Sequence, residues 1–340
     1  MKRRVSIADV AKMAGVSIST VSRVINNTGY PVSQDVRERI MSAVKVLNYV
    51  PSLAAQRLKS DFNPLIGIIV RDISNIYFGE IAKGAMDKAM ELGYLSIVCN
   101  TGRNPTNEME FHELLWKNRV QGILLIGGGI DTPSYRSILA KQIDRSVRYG
   151  LRIAANAPQG IGIKTVTIDL VSASAQITNY LINRGHHFIG IITGNQQVIT
   201  SQLHLKGFEE AMNNARIPIY PGLVKLDEFT EQSGYISCIE LLRHNPRPTA
   251  IYCGCDPIAV GVLHAIDEVG LKIPQDISVI SLGDTPLATH LRPPLTSIHV
   301  PRYSIGVRSI EVMLSDSIDT IDTEFIPTEL IERASVRAIN

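Results

Sequence analysis

The stretch VSISTVSRVINN, residues 16–27, sets five Val and Ile residues among small hydrogen-bonding side chains and one arginine. Val21, Val24 and Ile25 recur at i, i+3, i+4, which is one apolar stripe of an α-helix, and Ser17 stands where an N-cap hydroxyl belongs. Ser19, Ser22, Arg23 and Asn26 fall off that stripe at i, i+3, i+4, i+7. They are short donors and acceptors plus a forked guanidinium, unlike the Glu/Lys mixture of an ordinary solvated face. A helix whose apolar side enters a core and whose other side carries such groups is suited to reading a polar partner.

The flanking sequence supplies the core. An earlier helix is expected over Ile7 to Met13, with Ser6 as its N-cap, ending in the tight turn Ala14-Gly15-Val16. A later one is expected from Ser33 to Leu47, where Val36, Ile40, Val44 and Leu47 share a face able to close on Val10, Val21 and Val24. This is the helix-turn-helix arrangement, in which the second helix of the pair enters the DNA major groove. Arg23 suits a bidentate contact with guanine, and Thr20 and Ser22 suit phosphates or base edges. With Ser6, Ser17, Ile18, Ser19 and Asn26 these are the candidate DNA-contacting residues of the first domain.

Charge points the same way. Residues 1–63 hold ten Lys/Arg against four Asp/Glu, a net +6, which leaves −4 for the rest of a chain whose total is +2. Only the N-terminal part is built for a polyanion, because neutralising phosphates releases condensed counterions. The segment SLAAQRLKS, nine residues after Pro51, is too short for a stable isolated helix. Its Leu53 and Leu58, beside Arg57 and Lys59, suit an apolar wedge in the minor groove.

From Leu65 onward apolar runs (LIGIIV, YLSIVC, VQGILLIG, KTVTID, FIGIIT, LVKL, TAIYCG, ISVISLG, LTSIHV) alternate with amphipathic helical patterns. Strands buried on both faces and crossed by helices mean parallel doubly wound α/β sheets, and the length suggests two similar lobes facing one cleft. No run approaches the roughly 18 apolar residues of a membrane span, and the start lacks a signal-peptide core, so a cytoplasmic protein is expected. Cys99, Cys238, Cys253 and Cys255 read as free thiols, and neither a metal nor a cofactor is expected.

Dinucleotide, phosphate-loop and nucleophile-elbow motifs are absent. The triplet Gly127-Gly128-Gly129 reads as a flexible loop and His186-His187 as a helix-end cap, so no nucleophile or base is nominated and an enzyme is not expected. A periplasmic-type ligand carrier would need a secretion signal. A regulator whose effector is another protein is the other alternative.

The order helix-turn-helix, hinge and two-lobed body resembles the lac repressor and galactose repressor (LacI/GalR) family of bacterial transcription regulators. The resemblance runs through IADVAKMAGVSISTVSRVINN, LNYVPSLAAQRLKS, RGHHFIG, GFEEAM, RPTAIYCGCDPIAVG, IPQDISVI and PPLTSIHVP. It implies a helix-turn-helix domain over 1–50, a hinge over 51–63 and a periplasmic-binding-protein-like body over 64–340. Lobe 1 would take about 64–168 and 299–325, and lobe 2 about 169–298 and 326–340. Ser17 to Arg23 would enter the major groove, with Ile18, Ser19 and Arg23 choosing bases, and Leu58 would be the minor-groove wedge of a pseudo-palindromic operator. The family's tetramer tail has no counterpart in the terminal ELIERASVRAIN, so a homodimer is expected.

The resemblance also implies a small effector between the lobes, a sugar or sugar derivative, near Tyr77, Phe78, Thr200, His204, Phe229, Asp256, Gly283 and Asp284. Many sugar- and purine-binding members carry Arg where this chain has His204 and Asp where it has Gly283. The chain therefore lacks a forked donor and a carboxylate there, and Asp284 is the replacement carboxylate if the loop shifts by one residue.

Overall fold

A computed structural model describes residues 5–26, 30–50, 63–315 and 323–339. The chain divides into two units, Met1–Asn63 and Pro64–Asn340. Leu58 and the rest of the hinge segment up to residue 62 lie outside the described residues.

The first unit contains α1 (Ile7–Ala14), α2 (Ile18–Ile25) and α3 (Gln34–Leu47). Ser6 and Asp9 cap α1 reciprocally: the Ser6 N–H donates to the Asp9 carboxylate at 2.8 Å and the Asp9 N–H to the Ser6 hydroxyl at 3.4 Å. Gly15 adopts φ +65°, which a side chain rarely tolerates, and this lets α2 start three residues later. Val10, Ala11, Ala14, Val21, Val24, Ile40 and Ala43 form the buried core, with Val36, Val44 and Leu47 packed at its edge.

The second unit holds two six-stranded sheets. In the first, β1 (Leu65–Val70), β2 (Leu95–Asn100), β3 (Gly122–Ile126), β4 (Arg152–Ala155), β5 (Lys164–Thr167) and β11 (Thr323–Phe325) take the order β11-β5-β4-β3-β1-β2. In the second, β6 (Ile189–Gly194), β7 (Val224–Asp227), β8 (Ala250–Cys253), β9 (Ser278–Gly283), β10 (Thr296–His299) and β12 (Glu329–Ile331) take β12-β10-β9-β8-β6-β7. Pairing is parallel except between β10 and β12. Each sheet therefore changes winding direction between its first and third strands, β1/β3 and β6/β8. Ligands of open α/β sheets bind beyond the C-terminal ends of strands at such switch points.

Three strands have no counterpart among the apolar runs read from sequence. Arg152–Ala155 carries one β-branched residue in four, while Thr323–Phe325 and Glu329–Ile331 are three-residue edge strands too short for any periodicity.

Two local readings are refined. His186 does close the helix end, its N–H donating to the Leu181 carbonyl at 3.1 Å, but its ring is fully buried and does more: Nε2–H donates to the Arg337 carbonyl at 3.0 Å and Nδ1 meets the Thr249 hydroxyl at 2.9 Å, pinning the C-terminal segment to the second lobe. The glycine triplet is a packed loop. The Gly127 N–H donates to Asn156 Oδ1 and its carbonyl accepts from Gln159 Nε2, both at 2.7 Å, while a Cβ on Gly129 would press 2.6 Å from the Gln159 backbone.

Candidate functional site

On α2, Ser17 accepts the Thr20 N–H at 3.1 Å and its hydroxyl lies 2.7 and 2.8 Å from those of Ser19 and Thr20, so the polar face starts from an ordered hydroxyl cluster. Ile18 is 51% exposed, an aliphatic side chain offered to the surroundings at the first helical position. Ser19, Arg23 and Asn26 are exposed, and the Arg23 guanidinium lies 4.1 Å from the centroid of the Tyr30 ring. Ser22 does not share that face. It is buried beneath Asn26, whose Nδ2 donates to the Ser22 carbonyl at 2.8 Å and to its hydroxyl at 3.2 Å. One residue beyond Val21 a small side chain sits at the flank of the apolar stripe, where the neighbouring turn covers it. Ser6 is half-buried and engaged in its capping box.

In the second unit a cavity of about 280 Å³ opens between the two sheets at both switch points. Seven of the eight expected residues line it: Tyr77, Phe78, Thr200, His204, Phe229, Asp256 and Gly283. Tyr77 and Phe78 meet edge to face at 5.6 Å, and burial lifts the Tyr77 hydroxyl pKa to about 12. His204 is buried with Nδ1 2.6 Å from the Tyr252 hydroxyl, and desolvation pushes its pKa down to about 3, so the ring is neutral.

Asp256 is 1% exposed and accepts three hydrogen bonds, from the Ser281 hydroxyl at 2.6 Å, the Thr285 N–H at 2.6 Å and the Thr285 hydroxyl at 2.7 Å. Burial raises its pKa against those donors. Gly283 has φ +139°, and a Cβ there would lie 3.3 Å from Asp256 Oδ2, so glycine lets the loop run past the carboxylate.

Asp284 is the exception. It does not line the cavity; its carboxylate lies 2.7 Å from Arg333 Nη1 and 3.0 Å from His299 Nδ1. The shift that would bring it into the cleft does not occur, because a cation and an imidazole hold it on the other side of the loop.

The structure adds residues that the sequence reading missed. Arg71 and Arg103 line the cavity from the first lobe and Glu228 from the second. Arg103 Nη2 lies 3.6 Å from Asp72 and Nη1 3.6 Å from Glu228, so it bridges the lobes. Beside it the loops after β3 and β6 pair backbone to backbone: Ile130 bridges Val198, the Ile199 N–H donates to the Gly129 carbonyl at 3.0 Å and the Asp131 N–H to that of Gln197 at 2.6 Å. Beneath the cleft Arg302, 4% exposed, donates to Glu80 at 2.7 Å and to the carbonyls of Gly283 and Asp284. A usable signal existed for Arg71 alone, a charged residue directly after the wholly apolar run LIGIIV.

A helix-turn-helix unit followed by two parallel sheets around one cleft defines a DNA-binding regulator with a periplasmic-binding-protein-like body. The model of bacterial regulatory proteins of the lacI family matches residues 6–52, and that of the periplasmic binding protein-like domain matches residues 178–336. The HTH-type transcriptional repressor PurR of Haemophilus influenzae (strain PittEE) is 34% identical over 342 residues, covering 98% of this chain and 99% of that protein. PurR of Vibrio atlanticus is 30% identical with the same coverage. Among solved structures, the lac repressor dimer bound to operator and the anti-inducer ONPF superposes with a TM-score of 0.85 at 23% identity, covering 99% of this chain and all of that one. The CelR-cellobiose complex does so with 0.73 at 26% identity, covering 98% and 100%.

The chain belongs to the lacI family of bacterial regulatory proteins. It is a DNA-binding transcriptional repressor of that family, whose members are not enzymes. The expected family and fold class are thereby established. Among the described residues no helix is long and apolar enough to cross a membrane.

Proposed function

We propose that the protein represses transcription in the cytoplasm by binding a pseudo-palindromic operator as a homodimer, under the control of a sugar or sugar derivative held between its lobes. The observation that carries the effector half of this reading is the cavity lined from both switch points, where a ligand touches both lobes at once. A ligand that prefers one lobe arrangement by about 1–3 kcal/mol changes operator affinity roughly 5- to 150-fold. The similar regulator CelR, solved in complex with cellobiose, supports a sugar. In this reading residues 1–50 read the operator, 51–63 link, and 64–340 hold the effector and the second copy.

The dimer is supported by an apolar surface at one edge of the first sheet, where Met90, Leu92, Leu95 and Val98 are 72%, 44%, 65% and 37% exposed. An edge strand with such a surface invites a second chain. The similar lac repressor is a dimer where it is bound to its operator.

In the groove, Ile18, Ser19 and Arg23 choose bases, Ser17, Thr20 and Asn26 serve backbone and base edges, and Ser6 and Ser22 act by fixing helix geometry. Arg23→Ala is expected to weaken operator binding by about 1–3 kcal/mol and relax preference at one base pair. An equal loss on random DNA makes Arg23 a phosphate contact instead. Leu58→Ala is expected to reduce both operator bend and affinity if Leu58 is the wedge; unchanged gel mobility of circularly permuted operator fragments removes that role.

The experiment that tests the whole reading is operator selection from random duplex DNA at fixed salt, with and without a panel of sugars, sugar phosphates and sugar acids. A palindrome whose enrichment one compound changes supports it. A palindrome indifferent to every compound leaves DNA binding and shifts the effector to a protein.

A further inference from the structure

The donors and acceptors around the cleft are unevenly matched. Asp256 already accepts three hydrogen bonds, and Asp284 is turned to Arg333 and His299. Glu228 is the other carboxylate lining the cavity, and its side chain is 54% exposed, at the mouth. The hydroxyls of a neutral sugar therefore meet no unengaged buried carboxylate among the described lining residues.

Cationic donors, by contrast, are under-used. Arg71 follows β1 and its side chain is 12% exposed; its Nη2 lies 3.7 Å from Glu108, beyond hydrogen-bond distance, and the guanidinium shares the Tyr135 hydroxyl with Glu108, whose Oε1 accepts from that hydroxyl at 2.6 Å. Gly127 makes room for it, since a Cβ there would sit 2.6 Å from Arg71 Cδ. Arg103 is tied to the same corner by its N–H, which donates to the Arg71 carbonyl at 2.9 Å, and it takes φ +63° to do so. Its contacts of 3.6 Å to Asp72 and Glu228 are too long for hydrogen bonds.

We propose that the cavity takes an effector bearing an anionic group, phosphate or carboxylate, that docks on Arg71 and Arg103 at the first-lobe end. This rests on the small-molecule reading above and specifies it. Guanidinium groups pair bidentately with such anions, and two of them beside one switch point give two to four charge-assisted donors within reach of a single group. Tyr77, Phe78 and Phe229 supply flat apolar faces for the carbon body. The volume of about 280 Å³ is at the small end of ligand cavities and suits a monosaccharide-sized body. The anion also replaces Glu228 as the partner of Arg103, so binding exchanges a contact between lobes for one to the ligand.

The test uses the full-length protein, with thermal melts and calorimetric titration at matched ionic strength in chloride. The probes are inorganic phosphate and trios of neutral sugar, sugar phosphate and sugar acid: glucose, glucose 6-phosphate and gluconate, with the ribose equivalents. Inorganic phosphate is expected to raise the melting temperature above chloride, and an anionic member of a trio to bind where the neutral sugar does not. Preference for the ester over the acid identifies phosphate, and the reverse identifies carboxylate.

Arg103→Gln is expected to weaken that binding about 10- to 100-fold with the far-UV spectrum unchanged. The pair Arg71→Gln with Glu108→Gln is expected to do the same without leaving a buried carboxylate alone. Neutral sugars binding while every anion is inert overturns the proposal and leaves the effector reading standing. No response to any probe overturns both, and full retention of anion binding in both variants overturns the assignment to these arginines.

Discussion

Asp256→Ala is expected to destabilise the second unit by about 3–5 kcal/mol, read as a lower urea midpoint at unchanged m-value. The carboxylate is buried where the helix Asp256–Glu268 begins, and its two oxygens accept from Ser281 and twice from Thr285. Removing it leaves buried donors without their acceptor. The Ser281 hydroxyl has a second partner in the Ser297 hydroxyl at 3.0 Å, but the Thr285 N–H is fixed by the backbone and has none to turn to. Asp256→Asn keeps one acceptor oxygen and is expected to lose about half as much. The alanine variant also separates two roles for the residue. A carboxylate that gripped an effector would leave stability nearly untouched when truncated, so a loss below about 1 kcal/mol removes the structural role.

That distinction shows where sequence reading reached and where it stopped. The first and third N-terminal helices were legible within one residue at their ends and the second at its start, because capping serines, a turn glycine and an apolar stripe all point the same way. Strands with long β-branched runs were equally plain, whereas Arg152–Ala155 and the two edge strands at the C-terminus carry too little pattern. Seven of eight cleft residues expected from the family resemblance line the cavity, because the loops and first helical turns that follow the strands are placed there by topology. What each does there depends on partners far along the chain. Asp256 is saturated by residues 25 and 29 positions later, and Asp284 is drawn off by Arg333. No local spacing encodes those meetings. The burial of Ser22 turns on a smaller matter, the covering of one hydroxyl by the next turn of its own helix.

Lowering the pH from 7 to 5 is expected to remove about 4 kcal/mol of stability from the second unit, about 2 from each of two buried histidines. Burial holds His204 down to about 3 and His112 to about 4, against an ordinary value of 6.5. Both rings are neutral in the folded chain throughout this range, while in the unfolded chain they take up protons below pH 6.5. The unfolded state thus binds more protons, and stability is complete above pH 6.5 and falls as the pH drops toward the folded values. His186, lowered chiefly by burial, acts in the same direction. Carboxylates held low by ion pairs, such as Glu311 beside Arg308 and Lys88, contribute mainly below pH 5, and Asp256, raised by burial, opposes the histidines as the pH falls. Neither ring nitrogen of His112 has a hydrogen-bond partner, so His112→Leu is expected to be neutral or stabilising at pH 7 and to reduce the slope by about half. His204→Gln, which still offers the Tyr252 hydroxyl a partner, is expected to remove much of the remainder. Urea midpoints at the two pH values check this. A slope unchanged in the double variant means that other groups carry the acid sensitivity and that these two rings are solvated in the native state.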